Sequence, residues 1–287
     1  MTKFATMLSL WALAMTGCAH APQPGSQVGA LTLALQSHPV VLLGEVHDNV
    51  EQHALRAQAL RGLLESGARP ALLMEQFDRE RQPDIDAVLA HPGSTVDELL
   101  AAAAPDAAAR QGWDWALYRP YVALALAYRL PLVAANVSRA DARRVFSDGL
   151  TALGFDGAVP EDIAAAQATS ITEGHCGMLD ERQARRMVAA QVARDQFMAR
   201  ASERHLDRGV GLLAGNGHVR SDVGVVRWLS PRGRAGSVSI GLLEAGDPQG
   251  RAFDRVFFTG VQTRTDPCEG LRPRLSASQG PLGAGSP

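Results

Sequence analysis

Val40-Val41-Leu42-Leu43-Gly44-Glu45-Val46-His47-Asp48-Asn49-Val50-Glu51-Gln52-His53 is the stretch on which the reading of this chain turns. Four apolar residues in a row are the pattern of a strand buried on both faces, as in a parallel sheet. Gly44 then allows a tight turn or a close backbone approach. Glu45 and His47 follow at the carboxyl end of the strand. Asp48, with Glu51 three residues on, reads as the N-cap and N3 pair of a helix. A carboxylate and an imidazole therefore sit at a strand-to-helix turn, where open α/β sheets place their chemistry.

The same grammar recurs further along. Ala71-Leu72-Leu73-Met74 leads into Glu75-Gln76, and Gly209-Val210-Gly211-Leu212-Leu213-Ala214 runs into Gly215-Asn216-Gly217-His218. Three apolar strands ending in Glu/His, Glu and Asn/His predict a shared site at one edge of a sheet. Pro131–Val137, Ser237–Glu244 and Arg255–Thr259 read as further strands, the last as an edge. The helix after the first strand places Val50, Ala54, Ala57, Leu60 and Leu64 on one face, with His53 beside it. The fold class expected is α/β, a mainly parallel sheet flanked by helices. Gly149, Gly154, Gly157 and Pro160 break residues 138–180 into a smaller helical insert.

Composition narrows the function. An apolar content of 46% supports a sizeable core, and a net charge of −2 without a basic run gives no case for nucleic acid. Lys3 is the one lysine, so a Schiff-base lysine and a phosphate-loop lysine are both excluded from a mature chain. Phe4–Met15 is an apolar run behind a basic residue, and Leu13-Ala14-Met15-Thr16-Gly17-Cys18 resembles a bacterial lipobox. Residues 1–18 are therefore expected to be a lipoprotein signal peptide, with Cys18 lipidated. Residues 19–29 are expected to be a flexible tether, 30–268 the α/β domain and 269–287 a disordered tail. Export permits a disulfide between Cys176 and Cys268 but does not establish one.

Other residues carry chemistry of their own. Tyr118, Tyr121 and Tyr128 are all the tyrosines of the chain, and at helical spacing they share a face. A core wall and a ligand-facing wall are both compatible with that spacing. His175, Cys176 and Met178 are soft donors within one loop. Gln191 and Asp195 interrupt the apolar stripe of a long helix from 181 to about 206, and buried polar groups require partners. His47, His218 and Glu75 have the donor types for a divalent metal, with Glu45 as general base. Equally, a histidine of the Glu45/His47/Glu75/His218 cluster would activate water without metal. H-E-x-x-H, G-x-S-x-G and C-x-x-C are absent, which removes the zincin, serine-hydrolase and thioredoxin-like readings.

Leu43–Asn49, Met74–Arg79, Gly174–Met178, Gln191–Asp195 and Gly215–His218 together resemble the ChaN-like lipoproteins, haem-binding and iron-uptake-associated proteins of the Tiki superfamily. The resemblance implies haem held between the sheet and the helical insert, a tyrosine as iron ligand and a homodimer enclosing paired haems. Tyr118 and Tyr121 are then the candidate ligands, and His175 a further contact. It also implies an outer-membrane haem-uptake system as partner and a lipid-anchored place in the bacterial envelope, facing the periplasm. The wider superfamily includes hydrolases and resembles the erythromycin esterases around Gly44-Glu45-Val46-His47, although the histidine here is one residue closer. The alternative expectation is accordingly a metal-dependent or histidine-based hydrolase.

Overall fold

The computed structural model describes residues 24–106, 110, 112–266 and 268–269. The signal peptide, Cys18 and most of the tail lie outside them. Helix α1 (Pro24–Gln36) begins within the segment expected to be a tether, and its Leu31, Ala34 and Leu35 enter the core. The tether reading therefore fails from residue 24 onward. Apolar residues recurring at helical spacing outweigh the proline and glycine content there.

Six strands form one parallel sheet: β1 (Val40–Leu43), β2 (Ala71–Asp78), β3 (Leu132–Asn136), β4 (Val210–Leu213), β5 (Ser237–Glu244) and β6 (Arg255–Thr259). Their order is β3-β2-β4-β1-β5-β6. Val40 pairs with Val210 and with Ser237, and Met74 with Leu213, so β1, β2 and β4 end level with one another. The edge position expected for residues 255–259 is found, since β6 pairs only with β5.

Alternation along each strand builds two cores. Val41 and Leu43 join Leu31, Leu60, Leu64, Met74 and Val122 on one face of the sheet. Val40 and Leu42 join Leu73, Met198, Ala199 and Leu212 on the other. Each Val, Leu or Met among them, fully buried, contributes roughly 1.5–3 kcal/mol relative to its exposed state. The first face is covered by α1, α2 (Val50–Glu65) and α5 (Trp115–Ala127). Ahead of α5 lie α3 (Gln82–Ala90) and α4 (Val96–Ala103), which pack beside it. The other face is covered by the carboxyl half of α8 (Glu181–Glu203).

The buried stripe of α2 is not the one expected. Gln52, His53, Leu55, Arg56, Ala59, Leu60, Leu63 and Leu64 face inward, whereas Val50 is exposed. The helix is rotated so that His53 and Arg56 reach a buried carboxylate. Its N-cap also differs: Asn49 Oδ1 accepts from Gln52 N at 3.0 Å, while Asp48 pairs with Arg264.

Between β3 and α8 lie α6 (Arg139–Asp148) and α7 (Glu161–Gly174). These helices pack on the amino half of α8 through a core of their own, built on Val145, Leu150, Phe155, Ile163, Ile171 and Val188. After β6 the chain crosses back over the loop that follows β1. Gln262 Nε2 donates to Asp48 O at 2.6 Å, and Arg264 bridges Asp48 and Glu244. Cys268 then bonds Cys176 at the end of α7, with 5.7 Å between their Cα atoms. Among the described residues no helix is long and apolar enough to cross a membrane.

Candidate functional site

The level ends of β1, β2 and β4 bring Glu45, His47, Glu75 and His218 to one place, as their positions in the sequence predict. The two glycine motifs interlock there. An atom at the Cβ position of Gly44 would lie 2.2 Å from Asn216 Oδ1, and one at Gly215 would lie 2.6 Å from His47 Cε1. Only glycine admits such approaches. Asn216 N also donates to Glu45 O at 2.9 Å, tying the loop after β4 to the loop after β1.

Glu45 is the buried hub. Its Oε1 accepts from His47 Nδ1 and from the Tyr118 hydroxyl, each at 2.9 Å. Its Oε2 is paired with Arg56 and lies 2.9 Å from His53 Nε2. Burial opposes the charge of this carboxylate, but Arg56 and the two histidines outweigh it and hold the group ionised far below the usual carboxylate range. Tyr121 closes the network from α5, its hydroxyl donating to His53 O at 3.1 Å with Nδ1 of the same histidine 3.1 Å away.

A second chain of charges runs through β4. Glu75 Oε2 accepts from Gly215 N at 2.8 Å, and its Oε1 lies 3.4 Å from His218 Nε2. His218 Nδ1 donates to Asp195 Oδ1 at 2.6 Å, and Asp195 Oδ2 accepts from Gln167 Nε2 at 3.0 Å. Burial disfavours the imidazolium, yet Glu75 and Asp195 on either side push His218 up to about 10. Burial likewise opposes the Glu75 charge, and His218 overcomes it, holding that carboxyl at about 2. His218 is therefore held between two carboxylates, hydrogen-bonded to Asp195 and paired with Glu75.

That state corrects one expectation. Among the described residues no group of three or more His, Cys, Asp or Glu is arranged to hold a metal ion. The grouping of His47, His218 and Glu75 as ligands does not form, because His218 has neither ring nitrogen free. Arg79, four residues beyond Glu75, is not among the partners of that carboxylate. Arg79 turns away to Glu80 and Asp141.

His47 and His218 both line a cleft of about 720 Å³ between the sheet edge and the insert. Trp113 forms one wall, its ring meeting the His47 ring edge-on at 4.8 Å. Gln76, 4% exposed, lines the cleft with both amide atoms lacking a hydrogen-bond partner.

Residues 31–229 match the family described as haem-binding uptake, Tiki superfamily, ChaN. The chain belongs to that family. Haem is the cofactor that this membership assigns. The fold of this ChaN-family chain is similar to that in "Cofacial heme binding to ChaN of Campylobacter jejuni", with TM-score 0.67, 20% identity, and 79% of this chain and 90% of that one covered. Two weaker likenesses carry no argument. One is to RRSP, a MARTX toxin effector domain from Vibrio vulnificus CMCP6 (TM-score 0.41, 15% identity, 72% and 35% covered). The other is to an erythromycin esterase variant in its open conformation (TM-score 0.45, 15% identity, 76% and 73% covered). No curated protein matches.

The ChaN-family cleft carries an indole, a histidine and three arginines, Arg81, Arg139 and Arg194, but also five carboxylates, Glu75, Asp78, Glu80, Asp106 and Asp141. The expected donors do not fit. Tyr118 and Tyr121 are both fully buried, with their hydroxyls engaged on Glu45 and His53. Burial and the neighbouring Glu45 raise the Tyr118 phenol far above its ordinary value, so it is held as a neutral donor. His175 lies apart, in a smaller pocket of about 240 Å³ behind His218, with Nδ1 2.7 Å from Ile171 O. Spacing alone placed the two tyrosines on one helical face. The structure turns that face onto the sheet.

Proposed function

We propose that this protein binds haem in the cleft at the carboxyl ends of β1, β2 and β4, and serves haem and iron acquisition at the bacterial envelope. Family membership supports the haem part. The observation that supports the placement is the cleft of about 720 Å³ in which the exposed His47 ring meets Trp113 edge-on. When bound, haem supplies an iron centre and a flat apolar face. The residues of this chain that would hold it are those lining the cleft, with Trp113 and His47 among the ring-bearing ones. Lipidation at Cys18, anchoring in the outer membrane facing the periplasm, delivery to an uptake system and pairing of two copies around haem are parts of the same proposal. They draw on the lipobox and on the family.

Titrating the soluble domain with haemin tests it. A saturable change with a defined Soret band is expected, and a flat response would set the reading aside. A second reading rests on a separate observation: His47 and Glu45 form a histidine–carboxylate pair that opens on the cleft, the arrangement of a general base. Hydrolysis of model esters that is abolished in His47→Ala would favour it.

A further inference from the structure

We infer that the Cys176–Cys268 disulfide latches the segment after β6 over the loop that carries His47, and that a dithiol reductant opens the latch and frees that loop while the sheet and His218 stay in place.

The segment grips the loop on both sides of His47. Before it, Val46 N donates to Gln52 Oε1 at 2.7 Å, and Gln52 Nε2 donates to Thr259 Oγ1 at 3.1 Å, at the end of β6. After it, Gln262 Nε2 donates to Asp48 O at 2.6 Å, and Val50 N donates to Gln262 Oε1 at 3.1 Å. The Arg264 guanidinium lies between the Asp48 and Glu244 carboxylates, 2.6 and 2.7 Å from them. Glu244 Oε1 in turn accepts from Asn49 Nδ2 at 2.6 Å. Residues 260–266 have no regular secondary structure. Ordering each residue of such a segment costs about what one surface hydrogen bond returns. These contacts alone leave the segment near balance, and a covalent hold on its far end tips it onto the loop.

The hold is on α7. Cys176 follows that helix with φ +60°, in the left-handed region that glycine enters freely and other residues rarely do. What a cysteine adds at such a position is its sulfur. α7 is itself fixed: Ile163 and Ile171 are buried in the core it shares with α8, and Gln167 Nε2 reaches Asp195 Oδ2 at 3.0 Å. The helix is thus the post, and the segment after β6 the moving part. Among the described residues, His218 pairs with Glu75 and Asp195, from β2 and α8, so its supports lie outside the moving part.

Both cysteines are half-buried, within reach of a small thiol. A dithiol attacks through its thiolate, forms a mixed disulfide and then closes on itself. Cys176 and Cys268 are left as two thiols, having taken up two electrons and two protons, and the dithiol is left oxidised. The latch acts whatever ligand the cleft takes.

The experiment is NMR of the 15N-labelled chain, oxidised, with excess dithiothreitol, and as Arg264→Gln with the bond closed. Alkylation of Cys176 and Cys268 confirms which state is present. On reduction, the order parameters of the Gln262 and Arg264 amides are expected to fall from about 0.85 to below about 0.6, while those of Leu42 and Leu212 stay rigid. The His47 ring signals should shift and those of His218 should not. Arg264→Gln should shift the His47 signals with the bond intact. Unchanged order parameters after reduction, or His218 signals that move as far as those of His47, overturn the latch. So does a reduced chain that unfolds outright, or an Arg264→Gln variant whose His47 signals match the wild type.

Discussion

The imidazole of His47 rests against Gly215 so closely that a methyl group there would approach Cε1 to 2.6 Å. The glycine of one motif thus shapes the seat of the histidine of the other. The N–H of the same glycine holds Glu75. Gly215→Ala is expected to displace the ring and to cost about 1–3 kcal/mol through overpacking. The protein should still fold, and the Soret band of its haemin complex should differ from wild type. Identical spectra and identical urea midpoints would show that the contact is slack.

Arg56 is the buried counter-charge of Glu45, and removing it strands an anion in the core. Arg56→Met is expected to destabilise the fold by about 3–5 kcal/mol, because an uncompensated buried charge remains. The check is the urea midpoint against Arg56→Met combined with Glu45→Gln. The double variant should recover part of the loss. A single variant within about 1 kcal/mol of wild type would mean that water already reaches the pair.

Stability should form a plateau on the mildly acidic side of neutrality. His218 is raised from 6.5 to about 10, so its contribution is complete below about 6.5 and is lost as pH climbs through about 10. Glu75 is lowered from 4.5 to about 2, so its contribution is complete above about 4.5 and is lost as pH falls through about 2. Urea midpoints between pH 3 and pH 10 would trace both arms, and His218→Gln should flatten the alkaline one. A midpoint that rises from pH 7 to pH 9 in the wild type would contradict the assignment of charge to His218.

The Cys176–Cys268 bond spans 92 positions and joins the insert to the segment that crosses from β6. Replacing both cysteines by serine is expected to cost about 2–4 kcal/mol, chiefly by freeing the unfolded chain. The measurement is thermal unfolding of the wild type with and without reductant beside the double variant. Coincident curves for all three would show that the Arg264 contacts suffice without the bond.

How much of this was legible in the sequence depends on which groups announce themselves. Val40–Leu43, Ala71–Met74 and Val210–Leu213 are continuous apolar runs, and such runs end where a parallel sheet ends. Glu45, His47, Glu75 and His218 could therefore be placed together without coordinates. Asp195 stood out as a polar interruption of an apolar stripe, but its partner His218 comes from a loop more than twenty residues later, which no periodicity encodes. Arg56 and His53 were hidden because charged residues on a helix ordinarily face water. They face inward only because Glu45 lies beneath them. The tyrosines misled for the same reason: spacing fixes which side chains share a face, and not what that face meets.

Glu45, His47, Glu75 and His218 hang from three neighbouring strands in the middle of the sheet, with β3, β5 and β6 outside them. Outer strands exchange their amide hydrogens first in most proteins, through openings far smaller than full unfolding. Here such openings are expected at β3 and β6, at the two ends of the sheet and away from the seat of His47. Haem seated against those strands would add its binding free energy to the stability of the whole sheet, so the midpoint of global unfolding should rise with haem concentration.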